Sequence, residues 1–592
     1  MPARSLPRDP SLEHLRKDAK RLLKAVHAND TAALAQVREF HPHADAVLAT
    51  FTLSEAQLVI ARSYGFTSWA RLKHHLDVLD RFAWTPPRDA LADATAGTRA
   101  DAIVRLGVLG YGNWQLGWAD RARQILDSDP SLAGANIFVA AAVGDVSAVR
   151  EMLARDPALA NTEGGPFGWP PLLYACYSRI NSTHPGHSTL DVARALLEAG
   201  ADPNAGFLWE GTYLFTALTG VFGEGEDSRN QQPHQHRDAL ARLLLDAGAD
   251  PNDPQTLYNK HFNPNDDHLK LLFAYGLGRD TGGPWFERLG ERMESPAQLL
   301  VEQLRFAATN NLPERAKLLV EHGVDVNARG LRDGRTPYQA AVRAGNHEIA
   351  SFLLAHGARQ IDLPKEEVFA MACVAGRRAE ALAMLRDDPA LLEKLGDYGR
   401  VELVHRAVDS NRPDAVRLVA ELGLDLNGMV WNTGLDRAPM HNAAMNGQIE
   451  MVSLLLELGA DPHVRDQPFR ATPIGWAAYN GHRPIIDLLL PRATVFDVLQ
   501  HGSVEQLAAM LQRDPSWANA VDEDGKPLMF YFYPEMAGLE EKIALLVANG
   551  GDINVRNKDG QTILDLALAR GFGEVEEMLR RHGARTSSDL DR

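Results

Sequence analysis

One five-residue ending recurs along the chain in a fixed chemical order. It reads GADPN at Gly200–Asn204 and at Gly248–Asn252, GVDVN ending at Asn327, GLDLN ending at Asn427 and GGDIN ending at Asn554. Asn327 and Asn427 are 100 residues apart, about three periods of 33. A unit that short cannot bury its own apolar face, so its copies must stack and cover one another. This recurrence rules out a single globular core and requires a chain built as an array.

The stretch Leu435–Asp466, LDRAPMHNAAMNGQIEMVSLLLELGADPHVRD, shows what one unit contains. Pro439 suits the first position of a helix, where the missing N–H costs nothing. Met440, Ala443 and Ala444 give that helix a small apolar inner face. Asn446-Gly447 breaks it, because both residues tolerate a left-handed backbone. A second helix carries Ile449, Val452, Leu455 and Leu456 on one stripe of a 3.6-residue period. Gly459 is the predicted left-handed cap of that helix. Asp461-Pro462 then turns the chain outward, since a residue before proline avoids the helical region. Openings of the same kind stand at TPYQAA from Thr336 and TPIGWAA from Thr472. Weaker forms begin at Pro170, Val401, Lys526 and Gln561. These openings and endings resemble the ankyrin repeat family, whose opening pattern is T-P-L-H-x-A, with His441 at the histidine position. Ala438 replaces the usual threonine cap, so this copy is expected to start less firmly than the one at Thr336.

The resemblance covers roughly residues 101–585 and implies an all-α solenoid of helix-turn-helix repeats with short β-type finger turns. About 14 repeats are expected, beginning near 101, 135, 166, 207, 254, 297, 332, 365, 398, 436, 470, 494, 524 and 559. Some carry a second ending, as at Asp129-Pro130, Asp156-Pro157, Asp388-Pro389 and Asp514-Pro515. The last repeat has a charged second helix, as a terminal cap requires. Residues 586–592 read as a polar tail. Measured against the copy at Ala438–His463, two repeats carry insertions between their helices, SRINSTHPGHSTL and FGEGEDSRNQQPHQH, at 178–190 and 222–236. Such insertions map to loops on one face.

Residues 1–82 do not follow the period and read as a small helical module. Asp9-Pro10 is the expected start of a helix running to about His27, a second helix spans Thr31–Phe40, and a capping box at Thr52 and Glu55 opens a third. Gly65-Phe66 turns the chain into a fourth helix from Ser68. The segment SEAQLVIARSYGFTSWARLKHHL resembles an N-terminal module found ahead of ankyrin repeats in some bacterial proteins. The paired helices also invite a helix-turn-helix reading. However, residues 1–81 hold 12 Lys/Arg against 9 Asp/Glu, and the fourth helix offers few donors suited to base edges. Residues 83–100, rich in Pro, Ala, Asp and Thr, read as a linker.

A net charge of −17 disfavours non-specific nucleic-acid binding. No apolar run approaches the length of a membrane span, and the first residues lack the apolar core of a signal peptide. Two cysteines, Cys176 and Cys373, exclude a disulfide framework and fit a reducing compartment; both fall in first helices and read as core. The pairs His184/His187 and His234/His236 lie in the inserted loops without a ligand-like partner, and read as solvated. His405 and His441 are expected to bond neighbouring backbone. No P-loop, nucleophile elbow or zinc-protease motif is complete.

The expected protein is therefore a non-enzymatic, cytoplasmic, monomeric scaffold without cofactor or metal. It would bind a protein partner through the concave face and finger loops. Aromatics in the finger turns, Trp169, Trp209 and Trp431, with Phe167 and Phe207 beside the first two, are the candidate partner contacts. Two alternatives remain open: a nucleic-acid binder acting through residues 9–82, and an enzyme with a site in the irregular stretch 254–297.

Overall fold

The computed structural model describes residues 4, 6–7, 10–87, 90–279, 283–331, 333–430, 435–467, 469–534, 536–569 and 572–592. Among these, fourteen successive helix pairs follow the N-terminal module, from Arg99–Gly107 with Gly117–Ser128 to Ile563–Ala569 with Gly573–Arg581. In the thirteenth, the first member is a 3-10 turn, Leu528–Tyr531. The chain forms two compact units, one of residues 1–338 with 351–358 and the other of 339–350 with 359–592. No described helix is long and apolar enough to cross a membrane.

The pair at Pro439–Met445 and Ile449–Glu457 shows how each unit is built. Proline opens the first helix, whose Met440, Ala443 and Ala444 are buried. Gly447 and Gly459 take φ of 72° and 89°, so glycine ends both helices. The second helix buries Met451, Val452, Leu454 and Leu455, while Ile449 and Leu456 are only half-buried. The buried stripe is thus shifted from the predicted one. The helix packs on its own first helix and also on the second helices of the adjoining pairs, Pro413–Glu421 and Arg483–Leu489. Burying each such leucine stabilises the stack by roughly 1.5–3 kcal/mol.

The recurring ending has its own job. Each aspartate accepts a bond from the backbone two residues on, as in Asn204 N to Asp202 (2.9 Å) and Asn554 N to Asp552 (2.8 Å). The asparagine then reaches the next pair. Asn204 donates to the Gly248 carbonyl (3.0 Å) and accepts from Asp250 N (2.8 Å), and Asn554 makes the same two bonds to Gly583 (3.2 Å) and Arg585 (2.7 Å). The second type of ending serves the same bridge. Asn161 and Asn519, each four residues after the proline, bond Gly200 and Asp202 in one case and Gly550 and Asp552 in the other. Such a bridge satisfies backbone groups that a helix terminus would otherwise leave unpaired.

In the module, the helices are Leu12–His27, Thr31–Phe40, Leu53–Ser63 and Trp69–Phe82, with a short Ala44–Val47 between the second and third. The first is capped by Ser11; Asp9 lies outside the described residues. Thr52 and Glu55 form the full capping box, and Ser68 caps the fourth helix. Leu15, Leu22, Val37, Val59, Phe66 and Leu72 make the core. The fourth helix is not free to enter a groove. Its His74 bonds the Arg288 carbonyl (3.0 Å), and its Val78, Leu79 and Phe82 pack with Trp285, Leu289 and Met293.

Residues 83–87 and 90–100 are ordered rather than a linker. Ala83–Trp84 is a strand, parallel to Gly206–Trp209, which in turn pairs antiparallel with Tyr213–Thr216. Trp84 supplies the reason: its indole fills a gap between Phe167, Trp169 and Phe207 at 5.2–5.5 Å. Ala90–Ala94 follows, and Asp93 pairs with Arg105.

The inserted loops also fold inward. Arg179 is buried and donates to the carbonyls of Gln232 (2.8 Å), Ser178 (2.9 Å) and Gly220 (2.8 Å), stapling one loop to the other. His234 is 2% exposed and bonds Thr189 Oγ (3.1 Å), so it is not a solvated histidine. Both cysteines are buried, and burial pushes their thiols up to about 12.

Candidate interaction surface

The expected contacts at Trp169 and Trp209 lie in the sheet region. Trp169 is 3% exposed and stacks on Phe207 with ring centroids 4.3 Å apart. Around it sit Trp84, Phe167, Tyr174 and Tyr177. This corrects its reading as an exposed anchor: the strand at Ala83–Trp84 closes over the cluster, and no partner reaches Trp169 in this fold. Trp209 is half-buried at the end of its strand, beside Tyr213 and Phe215. Trp431 lies outside the described residues.

The second unit holds an aromatic group that faces outward. It starts from Asp466, a fully buried carboxylate in the turn before Pro473–Tyr479. Its Oδ1 accepts from Phe469 N (3.3 Å) and Ala471 N (2.7 Å), and its Oδ2 accepts from Trp476 Nε1 (2.9 Å). Asp466 N donates to the Ala471 carbonyl (2.9 Å), and Gln467 N donates to the Asp436 carbonyl in the preceding turn (2.9 Å). One buried acid therefore fixes both the turn and the first indole of the helix it introduces. A buried carboxylate with three donors is a strongly held group.

Phe469 projects from that turn at 68% exposure. It meets Trp476 edge-on (5.6 Å), and Trp476 meets Tyr479 (6.0 Å), itself 44% exposed. The Arg437 guanidinium lies 4.6 Å from the Trp476 ring, a cation–π contact. On the other side, Arg470 reaches Glu523 (2.8 Å), which belongs to the turn of the pair after next. That reach exists because Val495–His501 follows Leu490–Arg492 almost directly, leaving no turn of its own between them. Three aromatics with charged flanks thus form a patch held rigid from below. An exposed aromatic cluster with a polar rim is the usual anatomy of a contact surface. The sequence signal for Phe469 is the one that singles out Trp431, an aromatic in a turn between repeats. Trp476 stands in the TPIGWAA opening and Tyr479 directly after it, and neither is singled out by the sequence.

The histidines of the opening pattern stay inside. His405 bonds the Gly428 carbonyl (3.1 Å), and His441 bonds those of Ala438 (3.2 Å) and Ala471 (3.1 Å). Burial holds both imidazoles below their ordinary range. Among the described residues, no group of three or more His, Cys, Asp or Glu is placed to hold a metal ion.

These bridged helix pairs match a described family. Its model of ankyrin repeats in three copies fits residues 304–430, 404–499 and 440–529, and the single ankyrin repeat fits 167–206. The chain is an ankyrin repeat protein. Similar proteins include the human transient receptor potential cation channel subfamily A member 1, 26% identical over 302 residues, which are 46% of this chain and 26% of the channel subunit. Human Rabankyrin-5 is 25% identical over 209 residues, 35% of this chain and 18% of its own. The phosphocholine transferase AnkX of Legionella pneumophila is 23% identical over 311 residues, 51% of this chain and 27% of its own. The chain thus spans about a quarter or less of the length of these relatives. Ankyrin repeats are in general a scaffold for protein interaction.

Proposed function

We propose that this ankyrin repeat protein is a non-catalytic adaptor. It holds a protein partner on the turns and first helices of its second unit, with Phe469, Trp476 and Tyr479 as the central contacts. The observation that carries this reading is the 68% exposure of Phe469 on a turn that a buried Asp466 keeps from relaxing inward. A large aromatic left in water on a rigid support loses little conformational freedom when a partner covers it. Arg437 and the pair Arg470–Glu523 supply the polar rim. Two free, buried cysteines suit work in a reducing compartment such as the cytoplasm, and the adaptor is proposed to act as a monomer.

Capture from a lysate tests this. The double variant Phe469→Ser, Tyr479→Ser removes two exposed rings, so its melting temperature should match the parent. If each ring supplies about 2 kcal/mol, either change alone weakens capture roughly thirtyfold. A partner retained at parental strength by the double variant places the contact surface elsewhere.

A further inference from the structure

The stretch 254–297 contains a feature that protein binding does not use. Between the fourth and fifth helix pairs lies a cavity of about 50 Å³ lined by Phe222, Arg237, Lys260, Asn263, Asn265 and His268, with Leu271 and the rim acids Asp238 and Asp267 completing the wall. A water needs about 10–15 Å³ of such space, so the cavity takes roughly three to five heavy atoms.

His268 is the residue the fold leaves unanswered. It is 4% exposed, lines the cavity, and neither ring nitrogen makes a hydrogen bond of sound geometry. A buried polar group without a partner costs about 1–3 kcal/mol, and native structures rarely leave one so. Lys260 is 3% exposed, and its ammonium meets Glu224 at 2.8 Å, leaving further N–H donors. Glu224 is delivered by three successive residues of positive φ, Gly223, Glu224 and Gly225. A non-glycine held there stores strain, a common mark of a working site. Two helices, Arg237–Asp246 and Asp267–Ala274, begin at this cavity without a bond from their N-cap side chains, although Arg237 N donates to the His234 carbonyl (2.9 Å) and Asp267 N to Asn265 Oδ1 (2.7 Å). Asp266 would cap the second, but its carboxylate is taken by Arg315 (2.5 Å). The first N–H groups of a helix favour negative charge. The acids at the mouth are exposed and already engaged, Asp238 by Arg237 (2.7 Å) and Asp267 by Lys270 (3.4 Å). The buried wall is therefore rich in donors.

We propose that this cavity binds a small oxyanion, the carboxylate or phosphate end of a ligand whose remainder lies outside. His268, Lys260 and Arg237 hold it. Burial first, then Arg315 and Lys260, push the proton affinity of His268 down to about 3, against a weaker upward pull from the Asn265 backbone and with a last small contribution from Arg237. Each of those cations already faces one acid, Asp266, Glu224 and Asp238 in turn; a bound anion adds negative charge beside the ring, so its arrival raises the proton affinity of the ring.

The test follows the His268 ring by NMR in the full chain labelled at histidine Cε1, the signal being assigned by its loss in His268→Gln. Inorganic phosphate and acetate are titrated at constant ionic strength set with chloride. The expected result is a saturable shift with phosphate, acetate or both, and none with chloride. Saturation by phosphate alone identifies a phosphate ligand, and by acetate alone a carboxylate. Arg237→Gln, at a side chain one-third exposed, should weaken saturation about tenfold at an unchanged melting temperature; Lys260→Met should abolish it. A ring signal that neither anion saturates overturns the proposal. So does saturation undiminished in Arg237→Gln.

Discussion

Arg315 offers the sharpest test of how the irregular fifth pair is held. It stands on Pro313–Glu321, its side chain is 0% exposed, and every arm of its guanidinium is spoken for. Nε donates to Asp266 (2.5 Å), Nη1 to the His261 carbonyl (2.8 Å) and Nη2 to the Asn263 carbonyl (2.5 Å). Arg315→Met keeps most of the apolar stem but strands a carboxylate only 10% exposed and two carbonyls. Breaking one side of a buried pair costs about 3–5 kcal/mol, most of it the penalty of the uncompensated charge. The double variant Arg315→Met, Asp266→Asn removes that charge and should regain a large part of the loss, which separates charge burial from lost packing. The assay is urea denaturation followed by circular dichroism, with hydrogen exchange read over residues 254–275. Arg378→Met is the control, since Arg378 pairs with Glu421 in the open and such pairs contribute little. If Arg315→Met unfolds no earlier than that control, or the double variant is no better than the single, the loop is not held by this guanidinium.

Other consequences are as direct. Gly459→Val meets no neighbouring atom, so its cost is that of a left-handed backbone alone, about 1–2 kcal/mol; an unchanged denaturation midpoint would refute the cap. Trp169→Ala should cost about 3–5 kcal/mol as a cavity in an aromatic core, and with Trp209→Ala should lower the melting temperature before it alters capture. Burial holds His75, His234, His268, His405, His441 and His501 below the ordinary imidazole range. The unfolded chain therefore binds more protons once pH falls below about 6.5. Stability is full above that pH and declines toward pH 5; a melting temperature flat across this window would contradict the burial. EDTA should leave the melting temperature unchanged, and a drop restored by zinc or calcium would reveal a metal site.

What the sequence discloses follows from range. Thr52 with Glu55, Ser68 before Trp69, and glycine at 447 and 459 act within a few residues, so they read directly from the chain. The repeat period adds the stacking, because identical units share one way to bury a stripe. Pairings across long separations leave no such trace. Ala83–Trp84 joins a strand that begins more than 120 residues later, and its polar, proline-containing surroundings look like a linker. Trp169 and Phe469 both stand in turns between repeats. The added strand completes the cover of the first, and the buried Asp466 fixes the turn that carries the second. Arg179 and Arg315 act on loops that are remote in sequence, and a lone arginine carries no period.

The asparagine bridges divide the second unit into stitched and unstitched joints. Asn427 accepts from Asp461 N (2.9 Å), and Asn519 and Asn554 tie the last three pairs together. At the intervening position stands His463, and the pair that follows it ends in Leu490–Arg492, with no glycine for an amide to grip. A gene rearrangement that cuts at this joint strands no amide, whereas a cut at Asn519 or Asn554 leaves one without its partner. Inserting or excising a pair at this joint should therefore disturb its neighbours less than the same change at Asn519 or Asn554.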